Sequence, residues 1–432
     1  MPTEPRRAGQ QPGRNRPRIA FFDYPDVFED FYPHYGVDQQ AFATQWAATG
    51  NHAFVTLLQK EIGDVRWYVF SLAPELTEAH HAITGCRMIF LPSSWLHRHL
   101  WRWFYLSRAA WRWRRAYPAY AVIASYLVLA SWPFVRRLRR ERPDFLFVQD
   151  YASGRFDVLL LLARMLSVPL IAYHTGSQPE RYVGRLAKRW TIPRADLLIA
   201  SSHAELEMLA TRYRVPRKSL VVILTPIDTD TFRPRDRLEA CRMAGLDPAR
   251  RYLLFVGRLD DPVKRVGALI RVFATLAAEH PHVELLLAGE GPDGEALRRL
   301  VEQRVPKQVR FLGWVSSPEA KAQLYNAADC LVLNSRSEGF PTVIGEAMAC
   351  GTPVLSSRVG GVGELVVEGQ TGWLFPPGDE EMLRAKLAYV LTHPKVIASM
   401  RPQVRSLAES RVSPAAVAAA LRRNFEKVRC HG

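Results

Sequence analysis

Two glutamates flank the start of a predicted helix in the second half of the chain. An apolar run ends at Asn334, Glu338 follows in a polar loop, and Pro341 suits the first turn of a helix that carries Glu346. The unpaired N–H groups of a helix start favour phosphate oxygens, and carboxylates accept hydrogen bonds from sugar hydroxyls. We therefore predict a sugar-phosphate ligand. The alternative is a solvated loop glutamate and a helix-surface glutamate.

Two further predicted strands each end in a glycine turn, and the first of these turns is followed by two cations. FVGRLDDPVKR at 255–265 places Arg258 and Lys264 after Gly257, so that forked guanidinium donors and an ammonium group could bind phosphate. The alternative is a loop with two surface cations. LLLAGEGP at 285–292 has Gly289 and Gly291 between a predicted strand and a predicted helix, which alone is weak evidence for a dinucleotide-type turn.

The elements that must position these residues form two successive strand–helix arrays. Short, nearly continuous apolar runs separated by helices indicate parallel strands covered on both faces. The predicted strands are 18–24, 52–58, 144–150, 169–175 and 196–202, then 251–259, 283–289, 308–314, 329–335, 352–357 and 372–375. We therefore predict an α/β protein of two doubly wound domains that join near residue 230 and face each other across a cleft. Residues 1–18 are predicted to be a disordered basic tail.

The charge balance favours an anionic partner. The 432 residues carry a net charge of +16, and the segment 87–140 contributes eleven arginines without one Asp or Glu. The five cysteines are widely scattered, and the first residues contain no apolar core of a secretory signal, so we expect a reduced, cytoplasmic compartment.

Within this basic aromatic segment, residues 98–115 are predicted to form a helix that lies on an anionic membrane surface. Arginines fall on one arc of that helix and aromatic residues occupy much of the rest, with Trp101 among the arginines. The residues predicted to bind the membrane are Arg98, Trp101, Arg102, Trp103, Arg108, Trp111, Arg112 and Arg115. The uncharged run 116–135 is long enough for a bilayer span or a shallow insertion, but the family resemblance given below implies a helix packed on the first sheet, and that is the prediction. Nucleic acid is the rival partner, but no nucleic-acid-binding module is recognisable, so none is expected.

Several motifs resemble those of glycosyltransferase family 4. They are GRLDDPVK, LLLAGEGP, VRFLGWV, LYNAADCLVLNSRSEGFPTVIGEAMACGTPV, VGGVGELV and GQTGWLF, in the order and spacing of that family. The resemblance is specific from about 225 to 390 and weaker in the first half, through RPDFLFVQD, the strand ending at His174 and DLLIASSHAELEML. It implies the GT-B fold of two Rossmann-like domains and a retaining, nucleotide-sugar-dependent transfer. The family's two glutamates separated by seven residues correspond to Glu338 and Glu346.

The resemblance also implies roles for individual residues. Arg258 and Lys264 would hold the donor diphosphate, Glu338 would contact the donor sugar, and Glu346 would contact the ribose. His174 would face the reacting sugar; the alternative is a strand-end histidine satisfied by backbone. The predicted catalytic residues are His174, Arg258, Lys264 and Glu338. The further donor-binding residues are Gly257, Gly289, Gly339, Phe340, Pro341, Thr342 and Glu346. No metal or other cofactor is expected, since arginine, lysine and the helix start would replace it.

The same resemblance divides the chain by role. Residues 19–228 would bind the acceptor, with Tyr35, Gly36 and Val37 in an acceptor-side loop, and residues 229–405 would bind the nucleotide sugar. Residues 406–432 would form a helix that returns to the first domain.

Three positions depart from the family pattern. The hinge reads TPID up to Asp228 rather than Asn-Gly-Asp, the acceptor-side loop has only Gly36, and Arg265 stands where glycine is common. These departures put the geometry of the acceptor loop in doubt and leave a catalytically weakened member as an alternative.

The predicted function is transfer of a sugar, with a hexose favoured, to a lipid-linked or membrane-presented acceptor in glycolipid or surface-polysaccharide synthesis. The enzyme would lie peripherally on the inner face of the membrane. The alternatives are a soluble acceptor or a non-catalytic scaffold that binds membrane or nucleic acid.

Overall fold

The computed structural model describes residues 16–23, 27–30, 37–44, 50–106, 117–174 and 185–431. Within them, the strands form two sheets, of order β3-β4-β2-β1-β5-β6-β7-β8 and β11-β10-β9-β12-β13-β14, in which only β3 and β4 pair antiparallel. The strands are β1 (Arg18–Phe22), β2 (Asp64–Ser71), β3 (Thr77–His80), β4 (Arg87–Pro92), β5 (Phe145–Gln149), β6 (Leu170–Tyr173), β7 (Leu197–Ala200), β8 (Leu220–Val222), β9 (Arg251–Val256), β10 (Val283–Ala288), β11 (Val309–Gly313), β12 (Cys330–Leu333), β13 (Val354–Ser357) and β14 (Gly372–Phe375). The predicted fold class, two doubly wound α/β domains, is confirmed.

Helices connect the strands and cover the sheets. They are α1 (Gln39–Thr44), α2 (Gly50–Leu57), α3 (Trp95–Leu106), α4 (Tyr117–Leu127), α5 (Trp132–Glu141), α6 (Gly154–Leu166), α7 (Arg185–Thr191), α8 (His203–Arg212), α9 (Arg237–Met243), α10 (Asp261–Lys264), α11 (Val266–Ala277), α12 (Gly294–Arg304), α13 (Pro318–Ala327), α14 (Thr342–Ala349), α15 (Glu380–Thr392), α16 (Pro394–Val412) and α17 (Pro414–His431).

The first sheet is buried on both faces because its strands are apolar at successive positions. In β1, Ile19 and Phe21 face one core, which α2 and α17 help to close, whereas Ala20 and Phe22 face the other core, beneath α5 and α6. Alternate side chains of a strand point to opposite faces, so a run such as RIAFF supplies both layers at once.

The chain returns to the first domain at its C-terminal end. The backbone N–H of Ile227 donates to the carbonyl of Val412 at 2.8 Å, which brings the two crossing segments side by side. Beyond this point α17 packs on the first sheet, where the ring of Phe425 lies 4.8 Å from that of Phe145. The returning helix begins at Pro414, eight residues later along the chain than the predicted boundary at 406.

Several sequence-based assignments in the first domain are wrong. Residues 52–58 were predicted as a strand but belong to α2 and its continuation, in which Phe54, Val55 and Leu58 are buried with helical spacing. Of the two strands beside β1, β5 was predicted and β2 was not; β4, at the start of the basic aromatic segment, was not predicted either. Arg18, the last residue of the predicted tail and the first of the predicted strand 18–24, is the first residue of β1, and residues 1–15 lie outside the described residues.

The uncharged run 116–135 does not form one helix. It divides into α4 and α5 because Pro133 disfavours a helical conformation at the preceding residues, and Ser131 is extended. Across the described residues, no single helix is both long and apolar enough to cross a bilayer; the bent pair Tyr120–Leu127 and Trp132–Glu141, at 49°, meets those criteria of length and composition only jointly.

The basic aromatic helix begins earlier than predicted, at Trp95. Phe104 is buried and stacks on Tyr120 with ring centroids 4.1 Å apart. Trp101 lies on this packed side and donates its indole N–H to Asp30 at 2.9 Å, whereas Trp103 is 53% exposed. Arg102 is exposed, and the half-buried Arg98 donates to the carbonyl of Ser93. The remaining predicted membrane residues, Arg108, Trp111, Arg112 and Arg115, lie outside the described residues.

Candidate active site

Lys264 and Glu338 form an ion pair between two neighbouring strand ends. Lys264 ends the short helix α10 that follows β9, and Glu338 lies in the loop after β12, the strand beside β9. Ser335 donates its hydroxyl to the same Glu338 oxygen at 2.6 Å. Arg258 belongs to the same loop as Lys264 and its side chain is exposed. The structure therefore brings two predicted cations and one predicted carboxylate to one edge of the second sheet.

Glu346 is held by two residues that the sequence analysis did not identify. Lys321 on α13 approaches both carboxylate oxygens, at 2.9 and 3.0 Å, and the buried hydroxyl of Tyr325 donates to one of them at 2.8 Å. Burial, followed by the charge of Glu346, raises the pKa of Tyr325 well above its usual value, so this phenol remains a donor. The arrangement keeps a nearly buried carboxylate paired.

The loop before α14 is covered by another glycine turn. Pro341 immediately precedes Thr342, the first residue of α14, whose first-turn amides have no partner within the helix. The N–H of Gly361 donates to the carbonyl of Gly339 at 2.6 Å. A Cβ at Gly360, where φ is +50°, would lie 2.2 Å from the carbonyl of Glu338. This close packing fixes the segment 338–341 at the helix start; the half-buried Phe340 lies against Gly361.

Gly289 and Gly257 meet each other at adjacent strand ends. The N–H of Gly257 donates to Ala288, and a Cβ at Gly289 would lie 1.9 Å from the carbonyl of Gly257. Because Gly289 also has φ of +144°, it is required by the backbone itself. Gly289 therefore allows the close approach of these two strand ends, and its part in donor binding stays a prediction.

His174 lies at the end of β6 against two carboxylates. Its Nε2 is 3.6 Å from Asp150 and its Nδ1 is 3.4 Å from Glu205. Burial alone would lower the pKa of His174, but Glu205 and Asp150 together raise it above its usual value. Beside the predicted alternative of a strand-end histidine satisfied by backbone, the structure shows these two carboxylate contacts.

The two domains touch beside this histidine. Glu364 of the second domain accepts hydrogen bonds from the backbone N–H and the Nδ1 of His203, both at 2.7 Å. A Cβ at Gly361 would lie 2.6 Å from the carbonyl of Ser201, so these backbones are also in close approach. The carboxyl ends of both parallel sheets therefore face a shared region.

Of the predicted acceptor-side loop, only Val37 falls in the part of the chain that the structure describes, and it is buried. Tyr35 and Gly36 lie outside the described residues. Among the described residues, no group of three or more His, Cys, Asp or Glu side chains is arranged to hold a metal ion.

Comparison with known proteins assigns the family. The family model "Glycosyltransferase Family 4" matches residues 50–231, and the model "Glycosyl transferases group 1" matches residues 239–407. The first match falls in the domain of His174, and the second contains both ion pairs of the candidate site. The chain belongs to glycosyltransferase family 4.

Curated relatives of this family 4 member include D-inositol 3-phosphate glycosyltransferases. The protein of Rhodococcus opacus is 31% identical over 254 residues, 57% of this chain and 56% of the relative. That of Mycobacterium sp. strain KMS is 36% identical over 217 residues, 49% and 48% of the two chains. The chain thus spans about half the length of the curated relatives it matches.

Solved structures of low sequence identity share the whole architecture. HepE of Anabaena in complex with UDP aligns with a TM-score of 0.70 and 17% identity over 95% of this chain and 100% of that one. Sucrose-phosphate synthase of Thermosynechococcus elongatus aligns with a TM-score of 0.66 and 21% identity over 96% and 100%. At such identities the likeness concerns the fold alone, which is GT-B.

The candidate site has neighbouring residues that the sequence analysis overlooked although some signals were available. Ser202 and Glu205 have the spacing of a capping box, and the Ser202 hydroxyl does accept from the N–H of Glu205. Lys321 and Tyr325 are four residues apart on a predicted helix and therefore share a face. Their convergence on Glu346 depends on how α13 and α14 pack, which no local pattern specifies.

Proposed function

We propose that this chain is a retaining glycosyltransferase whose second domain binds a nucleotide sugar. The observation that carries the proposal is the Lys264–Glu338 pair beside the start of α14, in a member of family 4. A donor diphosphate would accept hydrogen bonds from Lys264, Arg258 and the first amides of α14, which supply positive charge without a metal. Glu338 would then be free to accept hydrogen bonds from the sugar, and Glu346 from the ribose.

The chemistry would depend on stabilising the leaving diphosphate. As the glycosidic bond to phosphate breaks, negative charge grows on the phosphate oxygens, where fixed cations and amides are most effective. The acceptor hydroxyl would enter on the same face and give its proton to the departing phosphate, so that the anomeric configuration is retained. His174, with its raised pKa, would face the sugar from the first domain as a hydrogen-bond donor.

A donor screen with matched variants tests this proposal. UDP-, GDP- and ADP-sugars are offered to the purified chain, and hydrolysis and transfer are followed with NMR detection of the anomeric product. Lys264→Met and Glu338→Gln should each lower turnover by at least about 100-fold. Lys307→Met is the control, because Lys307 is exposed and precedes β11, at the opposite edge of the sheet. Unchanged turnover in both site variants, or an inverted product, contradicts the proposal.

For the acceptor, we favour a molecule presented at an anionic membrane on the cytoplasmic side. Exposed aromatic and basic side chains of the first domain support this choice, among them Trp95, Trp103 and Trp132 with Arg102 and Arg139. Tryptophan suits the headgroup region of a bilayer and arginine suits its phosphates. We call these five residues the basic aromatic face. They lie on α3 and α5, the helices before and after α4 in the chain, and α3 packs on α4 through Phe104 and Tyr120.

Vesicle sedimentation tests this membrane role through Arg102 of the basic aromatic face and three arginines of the helix predicted from the sequence at 98–115. Replacing Arg102, Arg108, Arg112 and Arg115 by Gln should lower binding to vesicles containing phosphatidylglycerol by about 1 kcal/mol per charge that reaches the surface. The control replaces Arg242, Arg299, Arg304 and Arg411, which are exposed elsewhere, and keeps the same change in net charge. Equal loss in both variants, or retention on RNA without vesicle binding, contradicts a membrane role.

A soluble phosphorylated cyclitol is the second candidate acceptor. It is favoured by the relatives named D-inositol 3-phosphate glycosyltransferases. Transfer to D-inositol 3-phosphate in the absence of vesicles, with no stimulation by added lipid, would favour this candidate. Transfer that requires a vesicle-borne acceptor would favour the first.

A further inference from the structure

Glu205 holds several groups together on the first domain's side of the cleft. One carboxylate oxygen accepts the hydroxyl of Tyr151 at 2.5 Å and lies 3.4 Å from His174 Nδ1. The other accepts both the backbone N–H and the hydroxyl of Ser201 at 2.8 Å. Tyr151 also lies against the imidazole, with ring centroids 4.8 Å apart. The orientation of His174 is therefore tied to the first turn of α8.

The same helix turn is capped from the other domain. The N–H of His203, the first residue of α8, has no acceptor within the helix, and Glu364 supplies one at 2.7 Å. A carboxylate at a helix N-terminus is also stabilised by the helix dipole. Glu205 is two residues further along, so the second domain touches the turn that carries it.

We propose that Glu205 is a positioning residue for His174, and that Glu364 fixes the turn carrying Glu205 when the two domains are in contact. This inference rests on the proposed function only in taking His174 as a residue that faces the donor sugar. Separation of the domains would remove the acceptor of the His203 N–H and loosen the first turn of α8. Closure would restore the cap and, through Glu205, the orientation of the imidazole.

The first experiment measures His174 itself. In protein labelled at histidine Cε1, the His174 signal is assigned by its loss in His174→Gln, and its titration is followed by NMR. Glu205→Gln removes the charge that helps to raise the His174 pKa, so the titration should move to lower pH. If Glu205→Gln does not fold, Glu205→Asp takes its place. It keeps the charge but moves it away from His174, so the titration should shift in the same direction by a smaller amount. Glu207→Gln is the control, because Glu207 is exposed on α8 and pairs with Arg217.

The second experiment measures the link between the domains. Amide exchange in the first turn of α8 should be faster in Glu364→Gln than in the wild type, and unchanged in Glu368→Gln, whose carboxylate bonds within its own domain to Leu374. With an active donor, Glu205→Gln should lower kcat by about tenfold with little change in the donor KM, as for one lost charge-assisted hydrogen bond. The double variant with Glu364→Gln should be little worse than Glu205→Gln alone, because both act through one helix turn.

The outcomes separate this inference from the proposed function. An unshifted His174 titration in both Glu205 variants overturns the positioning role, whatever the activity. Unchanged amide exchange in Glu364→Gln, or additive losses in the double variant, overturns the link between the domains. If the wild type transfers no sugar, the proposed function fails, and the titration and exchange still decide whether the positioning exists.

Discussion

Replacing Lys321 tests whether the Glu346 carboxylate depends on its lysine partner. Removing one partner from a buried ion pair costs about 3–5 kcal/mol, because a charge is left without compensation. Lys321 is 20% exposed and Glu346 10%, and the Tyr325 hydroxyl remains as a donor. We therefore expect Lys321→Met to lower the free energy of unfolding of the second domain by about 2 kcal/mol, below the fully buried range. Adding Glu346→Gln should recover at least half of that loss, because no unpaired charge remains.

The assay must report on one domain, since two domains need not unfold together. Hydrogen exchange of the α14 amides gives the free energy of opening locally, and Lys307→Met serves as the exposed-lysine control. A loss below about 0.5 kcal/mol in Lys321→Met would place this pair with ordinary surface ion pairs. A double variant that loses the sum of the two single losses would also refute the reasoning, because it would show no coupling between the two residues.

Three further predictions concern stability. Gly289→Ala should lower the free energy of unfolding in urea by more than about 4 kcal/mol, because Gly289 has φ of +144° and its new Cβ would collide with Gly257. Gly245→Ala is the control: Gly245 has φ of +65° and open space around it, so the loss should be about 1–2 kcal/mol, and equal losses would contradict the collision. Arg265→Gly should raise the melting temperature slightly, by relieving about 1 kcal/mol of left-handed strain at φ of +51°, and a lower melting temperature would show that its side-chain contacts outweigh that strain. Burial, then the charge of His81, lowers the pKa of His52 to about 3, so as pH falls below about 6.5 the unfolded state binds a proton at His52 before the folded state does. The free energy of unfolding of the wild type should therefore fall by about 1.4 kcal/mol more per pH unit than that of His52→Asn. Parallel pH profiles of the two proteins would contradict this.

The second domain was predicted well because its sequence agrees with its fold at several levels. Strands β9, β10 and β12 are short apolar runs that end in glycine or polar turns, and they are buried on both faces. The hydrophobic pattern of this domain distinguishes helices from strands, since helices such as α11 show clear amphipathic spacing. The departure at Arg265 also has a structural meaning: the residue has a left-handed backbone, which is why glycine suits that position.

The first domain was predicted less well because apolar content alone does not separate helix from strand. Residues 52–58 are as apolar as a buried strand, but the structure makes them helical, and the spacing of Phe54, Val55 and Leu58 would have indicated this. The strand β4 was not predicted because the basic aromatic segment was interpreted by its charge and not by its short apolar run. The division at Ser131 was visible in Pro133, which lies inside a run predicted to be one helix.

The candidate site shows a similar limit. Glu338, Lys264 and Glu346 were identified because their types and spacing match a family motif, but their partners come from distant segments. Which lysine pairs with which glutamate depends on how α10 meets the loop after β12 and how α13 packs on α14, and neither sequence separation nor local pattern specifies that.

The two lysine–glutamate pairs differ in whether a bound nucleotide sugar would replace the contact between lysine and glutamate. Lys264 and Glu338 are both partly accessible, and each has an alternative partner in a nucleotide sugar: phosphate oxygens for the lysine and sugar hydroxyls for the carboxylate. The pair can therefore exchange partners on binding without leaving a charge uncompensated. Lys321 and Glu346 are exposed to a similar degree, but Glu346 is also bound by the buried hydroxyl of Tyr325, so Lys321 has no comparable exchange available and should remain paired throughout turnover. Loss of Lys264 should accordingly lower kcat, and loss of Lys321 should raise the donor KM while leaving kcat nearly unchanged.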